Sequence, residues 1–235
     1  MSFVHFLKRI IYKHHTDGDT YIQWLKKNGT VIGDNVTIYN ARNTCIDETS
    51  LEYITIGKNT QITAGVTILA HDYSYSVLGN VFWELPRVQR ETVIGENVFI
   101  GMNSTILGGA VVGDNTIIGA GSVVHGILES NAVYAGNPAK KICTLEEYLI
   151  KSRARFEESA KIYYKNKQRK QSDITSNDMI IYQALFSDNS IVKNYIKTHR
   201  FCGLDNDNVN SIDMSGYRKY ESFEDMIKSW KETAK

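Results

Sequence analysis

The sequence is poor in the features that mark several common classes of protein. Its three cysteines, Cys45, Cys143 and Cys202, lie far apart and form no CxxC pair, so we expect neither a disulfide framework nor a cysteine metal site. Scattered free thiols fit a reducing compartment, and the cytoplasm is the expected location. Lysine and arginine (27) nearly balance aspartate and glutamate (26), which argues against a nucleic-acid binder.

Neither a signal peptide nor a membrane span is expected at the N-terminus. In the opening MSFVHFLKRIIYKHH, charged residues interrupt the apolar ones and no small-residue cleavage site follows. Apolar residues nevertheless recur at helical spacing, at Phe3, Phe6, Leu7, Ile10 and Ile11. The segment 1–28 is therefore predicted to be helical and to pack on its own domain or a neighbouring subunit, in preference to a membrane surface.

The sequence does contain a strong six-residue period. Between residues 93 and 124 a branched aliphatic returns at every sixth position, at Ile94, Ile100, Ile106, Val112, Ile118 and Val124. A helix repeats every 3.6 residues and a strand every 2.0, so neither explains the period. Six residues make one short strand and one turn, and three such units close a triangular coil of about eighteen residues. The pattern predicts a parallel β-helix.

Upstream aliphatics keep a six-residue phase as well. They are Ile32, Ile38, Ile56, Ile62 and Ile68. Ile38 and Ile56 are eighteen residues apart, and Thr44 and Ser50 occupy the two slots between them. We therefore expect a continuous β-helix over residues 29–143.

The phase breaks between Ile68 and Ile94, which are 26 residues apart. The chain is expected to leave the coil there as an irregular loop, residues 70–92. The loop opens with HDYSYS and so carries His71 at its start. Long loops that project from a rigid scaffold are commonly functional.

The last part of the chain, residues 144–235, is predicted to be a helical extension. Thr144 and Glu147 form a predicted capping box. The basic stretch KNKQRKQSD is interpreted as an exposed linker. The short helices predicted beyond it are Met179–Phe186, Ile191–His199 and one capped by Ser222. This part contains no chemical motif, so packing or oligomerisation is its expected role.

Three features together resemble a known family: the hexads, the HDYSYS that opens the loop, and the AGNPAKKI that closes the coil. The stretch 31–143 resembles the left-handed β-helix hexapeptide-repeat acyltransferases, and in particular the maltose/galactoside, xenobiotic and polysaccharide O-acetyltransferases. The resemblance implies a homotrimer that binds acetyl-CoA in a groove between adjacent β-helices. The implied reaction is O-acetylation of a sugar or similar polyhydroxyl acceptor.

His71 is the expected catalytic base. An alcohol is a poor nucleophile at neutral pH, and a histidine can accept its proton and pass that proton to the leaving thiolate. Among the six histidines only His71 and His125 lie in the repeat region, and His71 matches the family's catalytic histidine. The adjacent Asp72 is given no catalytic role, because neighbouring side chains rarely point the same way.

Residues for the acceptor are less sharply defined. The resemblance places Asn43 on an asparagine that contacts the acceptor, although Asn40 or a structural turn fits nearly as well. Glu84 is a candidate for steering the acceptor or for orienting His71. The aromatic residues that would form a wall against a sugar ring, or else anchor the loop, are Tyr73, Tyr75, Phe82 and Trp83.

The resemblance also implies a path for acetyl-CoA. Backbone N–H groups around Gly101 and Met102 are the implied oxyanion donors. Phe99 replaces a frequent tryptophan of the family. The small residues along which the pantetheine arm would run are Gly119, Ala120, Gly121 and Ser122. The closing residues that would meet the 3′-phosphoadenosine end are Asn137, Pro138, Lys140 and Lys141.

Alternative functions remain within and outside this reaction class. The same fold carries N-acetylation of amino sugars and acetylation of serine. A β-helix carbonic anhydrase needs three histidines around a metal, which the repeat region does not offer, and no metal is expected. A non-catalytic scaffold is the third alternative, which failure to bind acetyl-CoA would support.

Overall fold

The computed structural model describes residues 11–199 and 206–232. The chain divides into two compact units, Met1–Tyr148 and Leu149–Lys235. The residues of the predicted N-terminal helix that precede Ile11 lie outside the described part. Within the described part, no helix combines the length and apolar character needed to cross a bilayer.

The N-terminal unit consists of very short strands with a few helical turns. Its helices are α1 (Gly18–Lys27) and α2 (Tyr75–Phe82), and its 3-10 turns are Lys13–His15, Ala41–Asn43 and Leu51–Tyr53. The strands are β1 (Val31–Ile32), β2 (Thr37–Ile38), β3 (Cys45–Ile46), β4 (Ile54–Ile56), β5 (Gln61–Ile62), β6 (Thr67–Ile68), β7 (Thr92–Ile94), β8 (Phe99–Ile100), β9 (Thr105–Ile106), β10 (Val111–Val112), β11 (Ile117–Ile118), β12 (Val123–Val124), β13 (Ile127–Leu128), β14 (Ala132–Ala135) and β15 (Lys140–Thr144).

These strands form three sheets that make the three sides of a coil. Sheet A has the order β1-β4-β7-β10-β13, sheet B the order β2-β5-β8-β11-β14-β15, and sheet C the order β3-β6-β9-β12. All pairings are parallel except that of β14 with β15, which is antiparallel and follows the last coil. The predicted mainly-β fold, a left-handed parallel β-helix, is confirmed.

The six-residue period is the period of the core. Ile94, Ile100, Ile106, Ile118 and Val124 are each at most 1% exposed, and they stack on their counterparts one coil away. Full burial of an aliphatic side chain contributes about 1.5–3 kcal/mol. One aliphatic per side of every coil therefore forms a continuous apolar column that holds the sheets together.

Asparagines at the corners add a second repeating contact. Asn97, Asn115 and Asn131 adopt φ values of 54°, 54° and 59°, in the left-handed region that asparagine tolerates better than most residues. The Asn97 amide donates to Asn115 Oδ1 at 2.9 Å, and the Asn115 amide donates to Asn131 Oδ1 at 3.0 Å. The corner side chains thus form a ladder parallel to the core column.

The first coil differs from the prediction. Ile32 pairs with Ile56 and Ile38 with Ile62, so this coil uses 24 residues per turn instead of eighteen. The core residue on its third side is Ile46, which is fully buried. The expectation that Thr44 and Ser50 fill consecutive core slots is therefore wrong. Six additional residues leave a six-residue phase unchanged, which is why the periodicity conceals them.

Two helical segments accompany the coil. Helix α1 begins after Asp17, whose side chain accepts from the Thr20 N–H at 2.8 Å, and it buries Tyr21 and Leu25 in the β-helix core. The chain leaves the coil after β6 and returns at β7, as expected. The loop between them was expected to be irregular, but it contains helix α2.

The C-terminal unit is helical and has its own core. Its elements are α3 (Leu145–Gln168, which begins in the N-terminal unit), a 3-10 segment Ser176–Leu185, α4 (Asn189–His199), α5 (Asn206–Ser211), a 3-10 turn Ser215–Tyr217 and α6 (Phe223–Glu232). The buried core residues are Ala160, Met179, Leu185, Phe186, Met226, Ile227 and Trp230.

Several predicted details of this helical part are confirmed. The Thr144 N–H donates to Glu147 at 2.9 Å and the Glu147 N–H donates to Thr144 Oγ1 at 3.1 Å, which completes the capping box. Ser222 caps the last helix through the Asp225 N–H. The basic stretch is only partly a linker, because α3 continues to Gln168.

Candidate active site

His71 and Asp47 meet at the corner where the chain leaves sheet C. Strands β3 and β6 are neighbours in this sheet, with Ile46 beside Ile68. Asp47 follows β3 directly, and His71 follows β6 by three residues. His71 Nδ1 lies 2.5 Å from Asp47 Oδ2, and both side chains are only 5% exposed.

The Asp47 carboxylate is held by four donors. Its Oδ1 accepts from the Thr49 hydroxyl at 2.8 Å and the Thr49 N–H at 3.2 Å, while its Oδ2 accepts from the Ala70 N–H at 3.1 Å and from His71. Burial raises the pKa of Asp47, but the hydrogen bonds from Thr49, Ala70 and His71 outweigh it and hold the pKa below its usual value. Asp47 is therefore ionised at neutral pH.

An ionised Asp47 fixes the tautomer of the neutral His71 ring. A carboxylate can only accept, so His71 Nδ1 carries the hydrogen and Nε2 of the neutral ring has a lone pair. The nearest polar contact of Nε2 is Thr49 Oγ1 at 3.4 Å, and the Thr49 hydroxyl already donates to Asp47. Nε2 can therefore accept a proton from an incoming hydroxyl.

His71 lies between two surface cavities. The first, of about 640 Å³, is lined by Asp47 and His71 on one side and by His15, Tyr21 and Glu48 on another. The second, of about 610 Å³, runs along the same corner of the coil; its lining includes Arg90, Gly108 and His125. A base at the junction of two cavities can receive a donor from one side and an acceptor from the other.

Three candidate acceptor residues lie apart from this pair, whereas the Tyr73 ring packs on the His71 ring with centroids 5.0 Å apart. Asn43 is exposed and precedes Thr44, which lines the first cavity. Trp83 is 90% exposed, and Glu84 next to it is exposed as well. Among the described residues that line the two cavities of His71, none is Asn43, Trp83 or Glu84. The carboxylate bonded to His71 belongs to Asp47.

The candidate acetyl-CoA residues cluster at a different corner, between sheets B and C. The Gly121 N–H donates to the Met102 carbonyl at 2.8 Å, and the Ser122 hydroxyl donates to Gly119 at 2.6 Å. Ala120 backs onto Gly101, where an added Cβ would meet the Ala120 nitrogen at 2.5 Å. The coil thus brings these predicted residues together, one layer above the other.

The side chains of Phe99 and Met102 are accessible, but the Gly101 N–H, a predicted oxyanion donor, is not. The Gly101 N–H donates to the Ile118 carbonyl at 2.8 Å inside the coil, so it is already engaged and unavailable to an oxyanion. The side chains of Phe99 and Met102 are 39% and 53% exposed.

The closing motif places its residues around the last strand pair. Asn137 and Pro138 are exposed between β14 and β15. Lys140 and Lys141 lie exposed on β15, and the Lys141 ammonium is 3.4 Å from Glu129. An exposed pair of this kind contributes little to stability and leaves both lysines accessible to a phosphate.

Asp47 is a candidate functional residue that the sequence analysis missed. It directly follows β3 in the irregular first coil, 24 positions before His71, and no spacing rule links the two. The signal that was present is local: an acid directly after Ile46, followed by Thr49 and Ser50. A polar cluster at the corner of a coil would have marked it only if the register had been known.

Comparison with known proteins gives a family. The profile of the family described as "Bacterial transferase hexapeptide (six repeats)" matches residues 91–126. The chain is 36% identical to Protein CapG of Staphylococcus aureus over 145 residues, which is 61% of this chain and 83% of that protein.

Two further relatives carry acetyltransferase names. The putative acetyltransferase YvoF of Bacillus subtilis is 38% identical over 41% of this chain and 51% of its own length. The putative lipopolysaccharide biosynthesis O-acetyl transferase WbbJ of Escherichia coli is 34% identical over 46% of this chain and 57% of its own length. The chain thus spans only about half the length of these two relatives.

A solved structure shares the repeat. A hexapeptide-repeat acetyltransferase of Vibrio cholerae, in complex with acetyl-CoA, is 26% identical with a TM-score of 0.44, over 50% of this chain and 61% of that chain. The family profile falls on the repeats that form the regular coils, and CapG is matched over most of its length. The chain therefore belongs to the hexapeptide-repeat family of bacterial transferases, as its hexads and closing motif indicate.

Proposed function

We propose that the protein is an acetyl-CoA-dependent O-acetyltransferase in which His71 is the general base and Asp47 its positioning residue. The observation that carries the proposal is the buried Asp47–His71 pair at the junction of two cavities. The acetyltransferase names of YvoF and WbbJ support the choice of acetyl as the transferred group.

The chemistry of His71 follows from its hydrogen bonds. Acetyl-CoA, as donor, supplies an activated thioester carbonyl. His71 Nε2 takes the proton of the acceptor hydroxyl while the hydroxyl oxygen bonds to the thioester carbonyl carbon, and the carbon–sulfur bond then breaks to release coenzyme A as a thiolate. The imidazolium so formed is stabilised by the Asp47 carboxylate at 2.5 Å and then returns the proton to the departing thiolate.

The first cavity suits a polyhydroxyl acceptor. Its wall carries the Thr44 and Thr49 hydroxyls, whose oxygens can accept hydrogen bonds, and the aromatic ring of Tyr73. Sugars are bound by such combinations, because their hydroxyls need hydrogen-bond partners and their C–H faces pack on aromatic rings. The name of WbbJ, a lipopolysaccharide O-acetyl transferase, supports a saccharide acceptor for this chain too.

We propose that the active form is a homotrimer. The candidate acetyl-CoA residues at the corner between sheets B and C line neither described cavity of His71, so a second copy is needed to bring the two sets together. Helix α2 supports this, since Val77, Val81 and Phe82 are each at least 60% exposed. An apolar surface of this kind marks an interaction site, and cyclic trimers suit prism-shaped protomers. The scattered thiols favour the cytoplasm as the compartment.

The test is acceptor-dependent thiol release from acetyl-CoA. A panel of hexoses, amino sugars, serine and oligosaccharides is assayed with the wild type, His71→Ala and His125→Ala. We expect a saccharide to give turnover, with at least a hundredfold loss in His71→Ala. His125→Ala should lose less than tenfold, because His125 is exposed and is bonded to no carboxylate described for this chain.

Two outcomes would contradict the proposal. If His71→Ala retains turnover within a factor of three, another group is the base. If the wild type neither turns over nor binds acetyl-CoA, the coil is a scaffold. Turnover with serine or an amino sugar alone would keep the base and replace the acceptor class.

A further inference from the structure

A second cluster of titratable side chains borders the first cavity. His14 Nε2 is 2.9 Å from Glu48 Oε1, and His15 Nε2 is 3.0 Å from the same oxygen. The three ligand atoms all lie within 4.8 Å of one another. Two imidazole nitrogens therefore converge on one carboxylate oxygen, which the proposed acetyl transfer does not use.

The hydrogen bonds of His15 direct one of its ring nitrogens at the Glu48 carboxylate. His15 Nδ1 is 2.7 Å from the Ala41 carbonyl, which can only accept, so Nδ1 carries the hydrogen. Nε2 of a neutral His15 then has a lone pair that faces the Glu48 oxygen. Two lone pairs at 3.0 Å repel each other unless a positive charge lies between them. A proton shared between His15 and Glu48, or a metal ion bound by both, would remove the repulsion.

Neighbouring side chains and a backbone carbonyl fix the orientation of both rings, as is usual for histidines that bind a metal ion. The His14 ring stacks on Trp24 with centroids 3.9 Å apart and an angle of 9°. The His15 ring packs on Tyr21 at 4.2 Å, and its Nδ1–H is fixed by the Ala41 carbonyl. A hydrogen bond from the outer ring nitrogen to a carbonyl orients a histidine for metal binding through the other nitrogen.

We propose that His14, His15 and Glu48 bind a divalent transition-metal ion of the Zn²⁺ class. Two imidazoles and one carboxylate are ligands that zinc accepts, with bonds of about 2.0–2.2 Å and ligand atoms about 3.3 Å apart in a tetrahedron. The separations of 2.9 and 3.0 Å need only a small expansion to admit the ion. Calcium and magnesium are disfavoured, because they prefer all-oxygen sites.

The location gives the ion a defined environment. Three protein ligands leave one tetrahedral position for a small molecule or water, and His15 and Glu48 both line the cavity that His71 lines. The ion would also tie the segment before α1 to the insertion of the first coil. His14 and His15 lie 34 and 33 residues from Glu48, so sequence spacing alone does not reveal the site.

The experiment measures metal binding directly and does not depend on acetyl transfer. Purified full-length protein is freed of metal by chelator dialysis and titrated with ZnCl₂ by calorimetry, with thermal unfolding followed in parallel. We expect one Zn²⁺ per chain and a rise in Tm on binding. Co²⁺ substitution should give the visible absorption of a tetrahedral site.

Variants locate the ion. Glu48→Gln and His14→Phe, which keeps the stack on Trp24, should each weaken Zn²⁺ binding at least tenfold. His71→Ala and Glu52→Gln are the controls and should bind as the wild type does. Absence of stoichiometric binding would overturn the proposal and leave a hydrogen-bonded cluster without metal. Equal binding by wild type and Glu48→Gln would place the ion elsewhere. If a variant fails to fold, the wild-type stoichiometry and Co²⁺ spectrum still decide.

Discussion

One carboxylate oxygen of Asp47 accepts hydrogen bonds both from the ring of His71 and from the backbone N–H of the preceding residue, Ala70. Its Oδ2 accepts from His71 Nδ1 at 2.5 Å and from the Ala70 N–H at 3.1 Å. The carboxylate thereby fixes the direction in which the chain leaves the coil and also the orientation of the imidazole. Because both the ring and the backbone that carries it are held, His71 loses little conformational entropy when an acceptor binds.

Asp47→Asn should therefore impair the proposed chemistry more than acceptor binding. An amide NH₂ in the position of Oδ2 would face the Nδ1 hydrogen, which favours the tautomer with the hydrogen on Nε2, where it blocks proton acceptance. We expect kcat to fall by about a hundredfold or more with less than a threefold change in the KM of the acceptor. Steady-state kinetics with the best acceptor measures both.

Asp72→Asn is the matched control for Asp47→Asn. The Asp72 carboxylate accepts from the Ser74 N–H and hydroxyl, at 2.8 and 2.5 Å, and is not the group bonded to His71. Its loss should cost less than tenfold in kcat. Equal effects of the two substitutions would show that Asp47 does not act through the orientation of His71.

The regular coils could be predicted from the sequence because their core repeats. Ile94 to Val124 fall on the three sheets in the expected order, and each inward residue is buried. The first coil could not be predicted, because an insertion of six residues is invisible to a period of six. The added residues put Ile46 out of the six-residue phase, so Asp47, which follows it and is the partner of His71, was hidden as well.

The site residues could also be predicted from the sequence only in part. Which histidine leaves the coil at a corner follows from the break after Ile68, and so His71 could be found. Whether a backbone N–H is free does not follow from residue type. Gly101 is a small residue at a promising position, yet its N–H is bonded to Ile118. Contacts between the segment before α1 and the first coil, such as His15 with Glu48, are decided by packing alone.

The core column makes a sharp prediction for two adjacent isoleucines. Ile118 is fully buried, whereas Ile117 next to it lies on the outer face and is only half-buried. Ile118→Ala should cost about 2–5 kcal/mol through the cavity that it leaves. Ile117→Ala should cost less than half as much, as measured by denaturant unfolding. Equal costs would contradict the assignment of the inward face.

The asparagine ladder predicts different effects for two substitutions of Asn115. Its φ of 54° is unfavourable for alanine by about 1–2 kcal/mol, and both substitutions remove the ladder contacts to Asn97 and Asn131. Asn115→Gly should therefore be the milder change, because glycine adopts this φ freely. Thermal unfolding of the two variants against the wild type measures the difference, and a larger loss with glycine would rule out backbone strain as the cause.

The C-terminal unit should lose stability in acid through Glu157. Burial raises the pKa of Glu157, but hydrogen bonds from Lys219, Tyr220 and Lys161 outweigh it and lower the pKa from 4.5 to about 2. A lowered pKa stabilises the folded state above the unfolded value, and this contribution is lost as the pH falls from about 4.5 towards 2. Glu157→Gln should flatten the pH dependence of Tm over that window. A slope identical to that of the wild type would show that other carboxylates dominate.

Helix α2 provides the test of the proposed trimer. Its exposed apolar side chains Val77 and Val81 lie one turn apart and, with Phe82 next to Val81, define the apolar side, while Ser76 lies about 140° around the helix from Val81. Val81→Glu combined with Phe82→Glu places two charges on the apolar side, and burying them in an interface would be costly. We expect a monomer by light scattering, with loss of acetyl transfer, although the Asp47–His71 pair is unchanged.

Ser76→Glu, the control, adds a charge to the same helix, and this variant should remain trimeric. A double variant that stays trimeric would show that α2 lies outside the interface, and a wild type that is monomeric yet active would contradict the shared site.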